Sequence, residues 1–312
     1  MKHIIIALVL LFFVNEAMAE FVPGTSVNLN PPPGFVKAER FSGFMNETNG
    51  SSIMVTEVPG PFAEFTEGLS DVEKMKARGM VLIEKSSIMV DGRKAMLLHL
   101  EQSAYSTQFK KWILAVDRSG STTIIAATYL SAESGQQEQL LKKAVLSATF
   151  GRQTDPMDAL SFSVNPQAPF EIAKVIGQNV FLTPNGQFPA KDASTPIMIV
   201  GLSISEDSVA GDQKEFAEHR IKQTPTIKNI TIHESIPTTI GLLTGFSSLA
   251  EGKSEATLMP MTIYQVMLFD SSGYCIIQGI TPSAKKEEYI PIFKRIAKSF
   301  RMKSKSSKAA DS

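Results

Sequence analysis

"WILAVDRSG" at residues 112–120 and "QVMLFDSSG" at residues 265–273 each run through apolar, β-rich residues into Asp-x-Ser-Gly. The composition reads as a strand entering a hairpin turn, because Asp at a turn bonds its own backbone two residues on. Asp117 and Asp270 are therefore read as turn formers rather than catalytic acids. The two stretches lie 153 positions apart, and other pairs fall in the same order around them. "PPPGF" (31–35) faces "PQAPF" (166–170), "SSIMV" (51–55) faces "TPIMIV" (195–200), and "LSATF" (146–150) faces "AKSF" (297–300). The chain reads as an internal duplication with insertions confined to loops.

Each copy predicts three short strands, a helix, four strands and a helix. In the first copy Ser70-x-x-Glu73 has the spacing of a capping box, and Gly79 stops the helix it opens. In the second, Asp212-x-x-Glu215 opens "QKEFAEHRIKQ" and Thr224-Pro225 closes it. The strand runs are "MVLIEKSSIMV", "KAMLLHLEQ", "FKKWILAV" and "TTIIAATYL", then "IKNITIHESI", "GLLTGFSSLA", "TIYQVMLF" and "YCIIQGI". A closing helix is expected after Ser134-x-x-Gln137, burying Leu140, Leu141, Ala144, Val145 and Ala148. Its counterpart opens at Thr281-Pro282 and places Tyr289, Phe293, Ile296 and Phe300 on one stripe. Long strand runs with helices at set points predict an α+β fold, an antiparallel sheet packed by helices in each copy.

The N-terminus reads as an export signal. Lys2 and His3 precede an unbroken apolar run, Ile4 to Val14, and Ala17-Met18-Ala19 offers small residues before a cut between Ala19 and Glu20. Eleven helical residues span about 16 Å, too short for the hydrocarbon core of a bilayer. The expected product is a periplasmic or secreted chain with no integral membrane segment. Acids and bases balance at 31 each, so no broad field draws the chain onto nucleic acid. A single cysteine, Cys275, leaves no internal disulfide, and its apolar neighbours predict a buried, inert thiol. The expected divisions are a signal peptide (1–19), two domains (26–150 and 160–302), a linker (151–159) and a disordered tail (303–312).

The Pro-rich entry into "GFVKAERF" (34–41), the "IMV" strand (53–55), the capped helix, the meander and the closings "LKKAVLSATF" (141–150) and "FKRIAKSF" (293–300) resemble the PsbP-like/Mog superfamily. That group includes the photosystem II accessory protein PsbP, the Ran-binding Mog proteins and exported bacterial DcrB-like proteins. The resemblance implies two tandem αβα sandwiches and a non-catalytic binding or assembly role, and it assigns no functional residue here.

Chemistry-bearing patterns are sparse. No histidine pair has metal-ligand spacing; His99 reads as a satisfied strand histidine and His219 as a helix-surface partner of Glu215. Met259-Pro260-Met261 is the one tight thioether pair, and core filling accounts for it. "GFSSL" (245–249) lacks the second Gly of a nucleophile elbow, and Ser283-x-x-Lys286 lacks its companion motifs. No catalytic, cofactor or metal residue is assigned, and no cofactor is expected. The sequence favours an exported non-catalytic protein engaging a protein or cell-envelope partner. A small-molecule or lipid carrier, with Phe35, Phe44 or Phe181 lining its cavity, is the second reading, and a hydrolase assembled across the copies the third.

Overall fold

The computed structural model describes residues 19–68, 72–77, 79–104, 107–152, 154–192, 194–204 and 208–303. In chain order the elements are β1 (Glu20–Phe21), β2 (Val27–Leu29), β3 (Val36–Lys37), β4 (Gly43–Met45), β5 (Ser52–Pro59), α1 (Phe62–Gly68) and α2 (Val72–Ala77). Next come β6 (Met80–Val90), β7 (Arg93–Ala104), β8 (Thr107–Asp117), β9 (Ser121–Leu130), α3 (Ser134–Leu146) and β10 (Thr149–Phe150). The second half holds β11 (Phe162–Ser163), β12 (Phe170–Ile176), β13 (Asn179–Pro184), β14 (Ile197–Leu202) and α4 (Gln213–Lys222). It closes with β15 (Ile227–Ile240), β16 (Leu243–Ser254), β17 (Pro260–Asp270), β18 (Gly273–Pro282), α5 (Lys286–Lys298) and β19 (Arg301–Met302).

Two seven-stranded sheets dominate, ordered β3-β4-β5-β9-β8-β7-β6 and β12-β13-β14-β18-β17-β16-β15, with every neighbouring pair antiparallel. One order is the other repeated, and β8 and β17, the strands of the opening quotation, occupy the same place in each. The sequence pattern follows from that place. Interior β17 is buried from Met261 through Phe269, an apolar run interrupted only by Thr262 and Gln265. Edge strand β15 is buried only at its ends, Ile227 and Ile240, and carries Pro237 and two register shifts, devices that blunt an open edge.

The helix-packed αβα sandwich is overturned. Strand takes 49% of the described residues and helix 21%, giving two sheet-dominated domains. The physical reason is length: an 11-residue strand spans about 36 Å, whereas a 10-residue helix spans about 15 Å and covers less than half of it. Helix α1, absent from the sequence reading, buries no residue. The uncovered sheet leaves Val81, Ile83, Met89 and Ile236 largely exposed.

Each sheet nevertheless has a core against its closing helix. Trp112, Leu114, Ile125 and Ala127 meet Leu141, Ala144 and Val145 in the first; Val266, Leu268 and Ile277 meet Tyr289, Phe293 and Ile296 in the second. Gly279 lets α5 approach, since a Cβ there would lie 2.4 Å from the Phe293 ring. The helix starts depart from expectation. Ser134 lies inside α3, whose N-cap is Glu133 without a side-chain bond, and a 3-10 turn leads in. Thr281 and Pro282 finish β18, and a 3-10 turn (Ser283–Lys285) precedes α5. Leu140 is only partly buried. Asp212 caps α4 as expected, accepting from the amides of Lys214 and Glu215. Ser70 lies outside the described residues, so the first capping box does too.

Outside the sheets, β2 pairs with β10 and β11 with β19, tying the start of each copy to its end. The same bond fixes both ties: the Asn30 amide donates to Ser147 Oγ and the Asn165 amide to Ser299 Oγ, each at 2.8 Å. Ser147 and Ser299 in turn donate to the last turn of their helices, to Ala144 and Ile296.

Candidate functional site

The two Asp-x-Ser-Gly turns form as read. Asp117 Oδ1 accepts from the Ser119 amide at 3.0 Å, and Asp270 Oδ1 from the Ser272 amide at 2.8 Å. Asp270 does more. Arg40, from the β3–β4 loop of the other domain, places Nη2 at 2.8 and 2.9 Å from its two carboxylate oxygens. The same nitrogen reaches Ser272 Oγ at 2.8 Å, and Nη1 reaches Ser203 Oγ at 3.3 Å. Arg40 is 5% exposed and Asp270 25%, so the pair is a partly desolvated clasp between domains. Ser161 Oγ adds a short hydrogen bond to the carbonyl of Glu39.

The clasp floors a cleft of about 650 Å³. Its walls are apolar, from Leu202, Ile240, Leu243 and Phe300; Glu39, Arg301 and Lys303 stand at its edge, and Leu242 at the β15–β16 hairpin tip is fully exposed. The Asp270 carboxylate accepts from the Arg40 guanidinium and from the amide and hydroxyl of Ser272. Beneath them Cys275 is buried, and burial pushes its thiol well above the ordinary range, against the smaller pull of Arg40. A thiol held protonated in this way is inert.

A second polar cluster lies under α3. His99 stacks face to face on Trp112 at 4.0 Å, and its Nε2 lies 3.0 Å from Tyr129 Oη. Glu138 is 4.0 Å from His99 and 3.6 Å from Lys110, and Lys142 sits 4.3 Å from the Trp112 centroid. Burial holds the His99 pKa below 6.5 against the opposing pull of Glu138, and burial with Glu138 holds the Tyr129 hydroxyl up. His99 is the satisfied strand histidine that the sequence indicated.

The other singled-out residues scatter. His219 pairs with Gln223 at 2.8 Å rather than with Glu215. Met261 is core, with Met259 packed beside it. Ser248 of "GFSSL" is buried against Ser235 Oγ, and Ser283 accepts from Thr262 while Lys286 pairs with Glu251. Phe35 and Phe44 are packed in the first core, and Phe181 lies 5.0 Å from Phe188. Among the described residues no three His, Cys, Asp or Glu side chains converge as a metal site, and no helix is long and apolar enough to cross a membrane. Residues 1–18 lie outside the described residues; Ala19 precedes β1, and Glu20 pairs with Leu29. Of the tail, Lys303 is described, its amide bonded to the Ser161 carbonyl, and residues 304–312 are outside.

Sequence reasoning missed Arg40. It stands within "GFVKAERF", but its partner is 230 positions away in the other copy, and no local pattern marks such a pairing.

No family model matches the chain, and no curated protein matches it. Among solved structures, the chain is similar to PA94, a protein of unknown function from Pseudomonas aeruginosa (18% identity, 42% of this chain and 85% of that one, TM-score 0.31). It is similar to the cyanobacterial PsbP, CyanoP, from Synechocystis sp. PCC 6803 (11% identity, 40% and 86%, TM-score 0.31). It is also similar to the immunity protein TplEi of T6SS from Pseudomonas aeruginosa (9% identity, 89% and 95%, TM-score 0.31). At these TM-scores the likenesses establish neither family nor function.

Proposed function

We propose that the chain is exported, cut before Glu20, and acts without catalysis by gripping a segment of a protein partner in the cleft above the Arg40–Asp270 clasp. The observation that carries this reading is Leu242. Leu242 is fully exposed on a hairpin tip, and it lines a cleft whose other apolar residues are Leu202, Ile240, Leu243 and Phe300 and whose charged residues include Glu39, Arg301 and Lys303. An apolar centre with a polar rim is the composition of recognition surfaces. The Arg40–Asp270 pair joins the two domains beside the cleft, and such a contact lowers the cost of ordering the groove when a partner binds.

A photoreactive amino acid at position 242, introduced in cells, tests this directly. A discrete crosslinked species is expected there and not from position 258, where Leu258 is exposed on a different turn. Equal adducts from both positions, or none from 242, would sink the reading. Export has its own test: N-terminal sequencing of the cellular protein should begin at Glu20, and an intact Met1 would exclude it.

A further inference from the structure

The seam between the domains holds a second cleft, of about 320 Å³, that shares three elements with the first: a serine just before a tying strand, a segment crossing from the other domain, and a hairpin turn. Ser26 stands in it where Ser161 stands in the other, and Pro59 ends β5 as Leu202 ends β14. In strand register Arg118 takes the place of Asp270: its amide bonds Ser121, the first residue of β9, as Asp270 pairs with Gly273, the first residue of β18. Residues 174–177 of the second domain line this cleft, as Glu39 and Arg40 of the first domain line the other. Each domain thus gives and receives the same element, the contact pattern of a two-fold dimer joined into one chain.

The two halves of the seam differ in one respect. In the first, Arg40 crosses to a protein carboxylate. In the second, the crossing segment brings Lys174, whose backbone pairs with Phe181 and whose side chain lines the cleft with no ion pair or hydrogen bond among the described residues. Asp117 caps its own turn. Arg118 stays in its own domain, 2.8 Å from Ser26 Oγ and 4.3 Å from the Phe150 centroid. Ser26 in turn donates its amide and hydroxyl to Glu57 Oε1. Among the described residues two cations, Arg118 and Lys174, and one carboxylate, Glu57, line this polar pocket, which lies at the small end of ligand-site sizes; Asp91 and Arg93, outside the lining, act on Arg118 with opposite signs.

We propose that this second cleft binds a small monocarboxylate between Arg118 and Lys174, the ligand supplying the negative group that Asp270 supplies in the duplicate. The proposal is independent of partner capture in the larger cleft. Its test is a nitrogen-detected NMR titration of the mature chain with acetate, L-lactate and L-lactamide, and separately with inorganic phosphate, up to about 10 mM, the range of weak anion sites. Saturable shifts of the Arg118 Nε–H and the Val175 amide are expected with the two carboxylates and not with the uncharged amide. Lys174→Met, and Lys174→Gln as its polar companion, should weaken that binding about tenfold, as expected for one lost charge-assisted contact. Neither replacement removes an internal bond, so both should keep the parent melting temperature. No saturable shift from either carboxylate, a response to phosphate alone, an equal response to lactamide, or unchanged binding in both Lys174 variants would each overturn the proposal.

Discussion

His99 shows what burial does to one titratable side chain. It is 4% exposed, stacked on the single tryptophan of the chain and bonded to Tyr129. Glu138 and Glu84 favour its charged form, Lys110 and Lys142 oppose it, and desolvation outweighs them all. The folded chain thus holds the imidazole neutral to lower pH than the unfolded chain does. Stability from this residue is complete above about pH 6.5, falls as the pH drops below that value, and levels off once the folded-state pKa is passed. Melting temperatures between pH 8 and pH 5 should therefore fall further for the parent than for His99→Phe, with Trp112 emission reporting the same change. Parallel curves would show that His99 is not the titrating group. At the same scale, Ser147 and Ser299 are duplicates in role as well as position. Ser147→Ala and Ser299→Ala should each cost about 1–2 kcal/mol by stranding an asparagine amide, and the double variant should show their sum, since the sites lie in separate domains. Urea midpoints that match the parent would refute the shared role. These serines were visible in the sequence as "LSATF" and "AKSF", yet only their order was informative; the bond to a residue over a hundred positions away was not.

Elements were legible where the pattern was local. All eight long strands fall where β-branched and aromatic runs lie between turn residues, because pleat and burial act directly on neighbouring positions. Helix starts were less legible, since Ser134 and Thr281-Pro282 look like openers while a 3-10 turn in each copy defers the helix. Layering was misread because a sheet's need for cover does not fix the length of the helices that supply it. The packing of the closing helices carries its own record of duplication. Gly279 of β18 faces Phe293 of α5, whereas the first copy has Ala127 and Leu141 at the corresponding places. Small against large in one copy becomes medium against medium in the other, a volume exchange that preserves density. Gly279→Ala should cost about 1–3 kcal/mol by forcing the Phe293 ring aside. Adding Phe293→Leu should recover part of that loss, although Phe293→Leu alone is destabilising. Additive losses in a double-mutant cycle would mean that the two positions do not share space.

At the scale of the molecule, two domains with separate cores meet along a seam held by few polar contacts, so the seam is where small energies decide shape. The Arg40–Asp270 pair is its one ion pair among those identified, and its two ends are unequally buried. Removing the arginine leaves a carboxylate that keeps water and its Ser272 bonds. Removing the acid's charge strands a guanidinium that has almost no water. Arg40→Met should therefore cost about 2 kcal/mol, below the roughly 3–5 kcal/mol of a wholly buried pair, while Asp270→Asn, which keeps the turn, should cost about 3 kcal/mol or more. The double variant should cost less than the two losses combined, because neither charge is then left alone. Both single variants should also speed proteolysis within residues 151–159, which run between the two sheets, without exposing sites inside either sheet, since the lost contact joins the domains rather than building them. If the losses rank the other way, or cleavage spreads into the strands, Arg40 is supporting a core and not a seam. The cleft above it would then lack the domain contact that lowers the cost of partner capture.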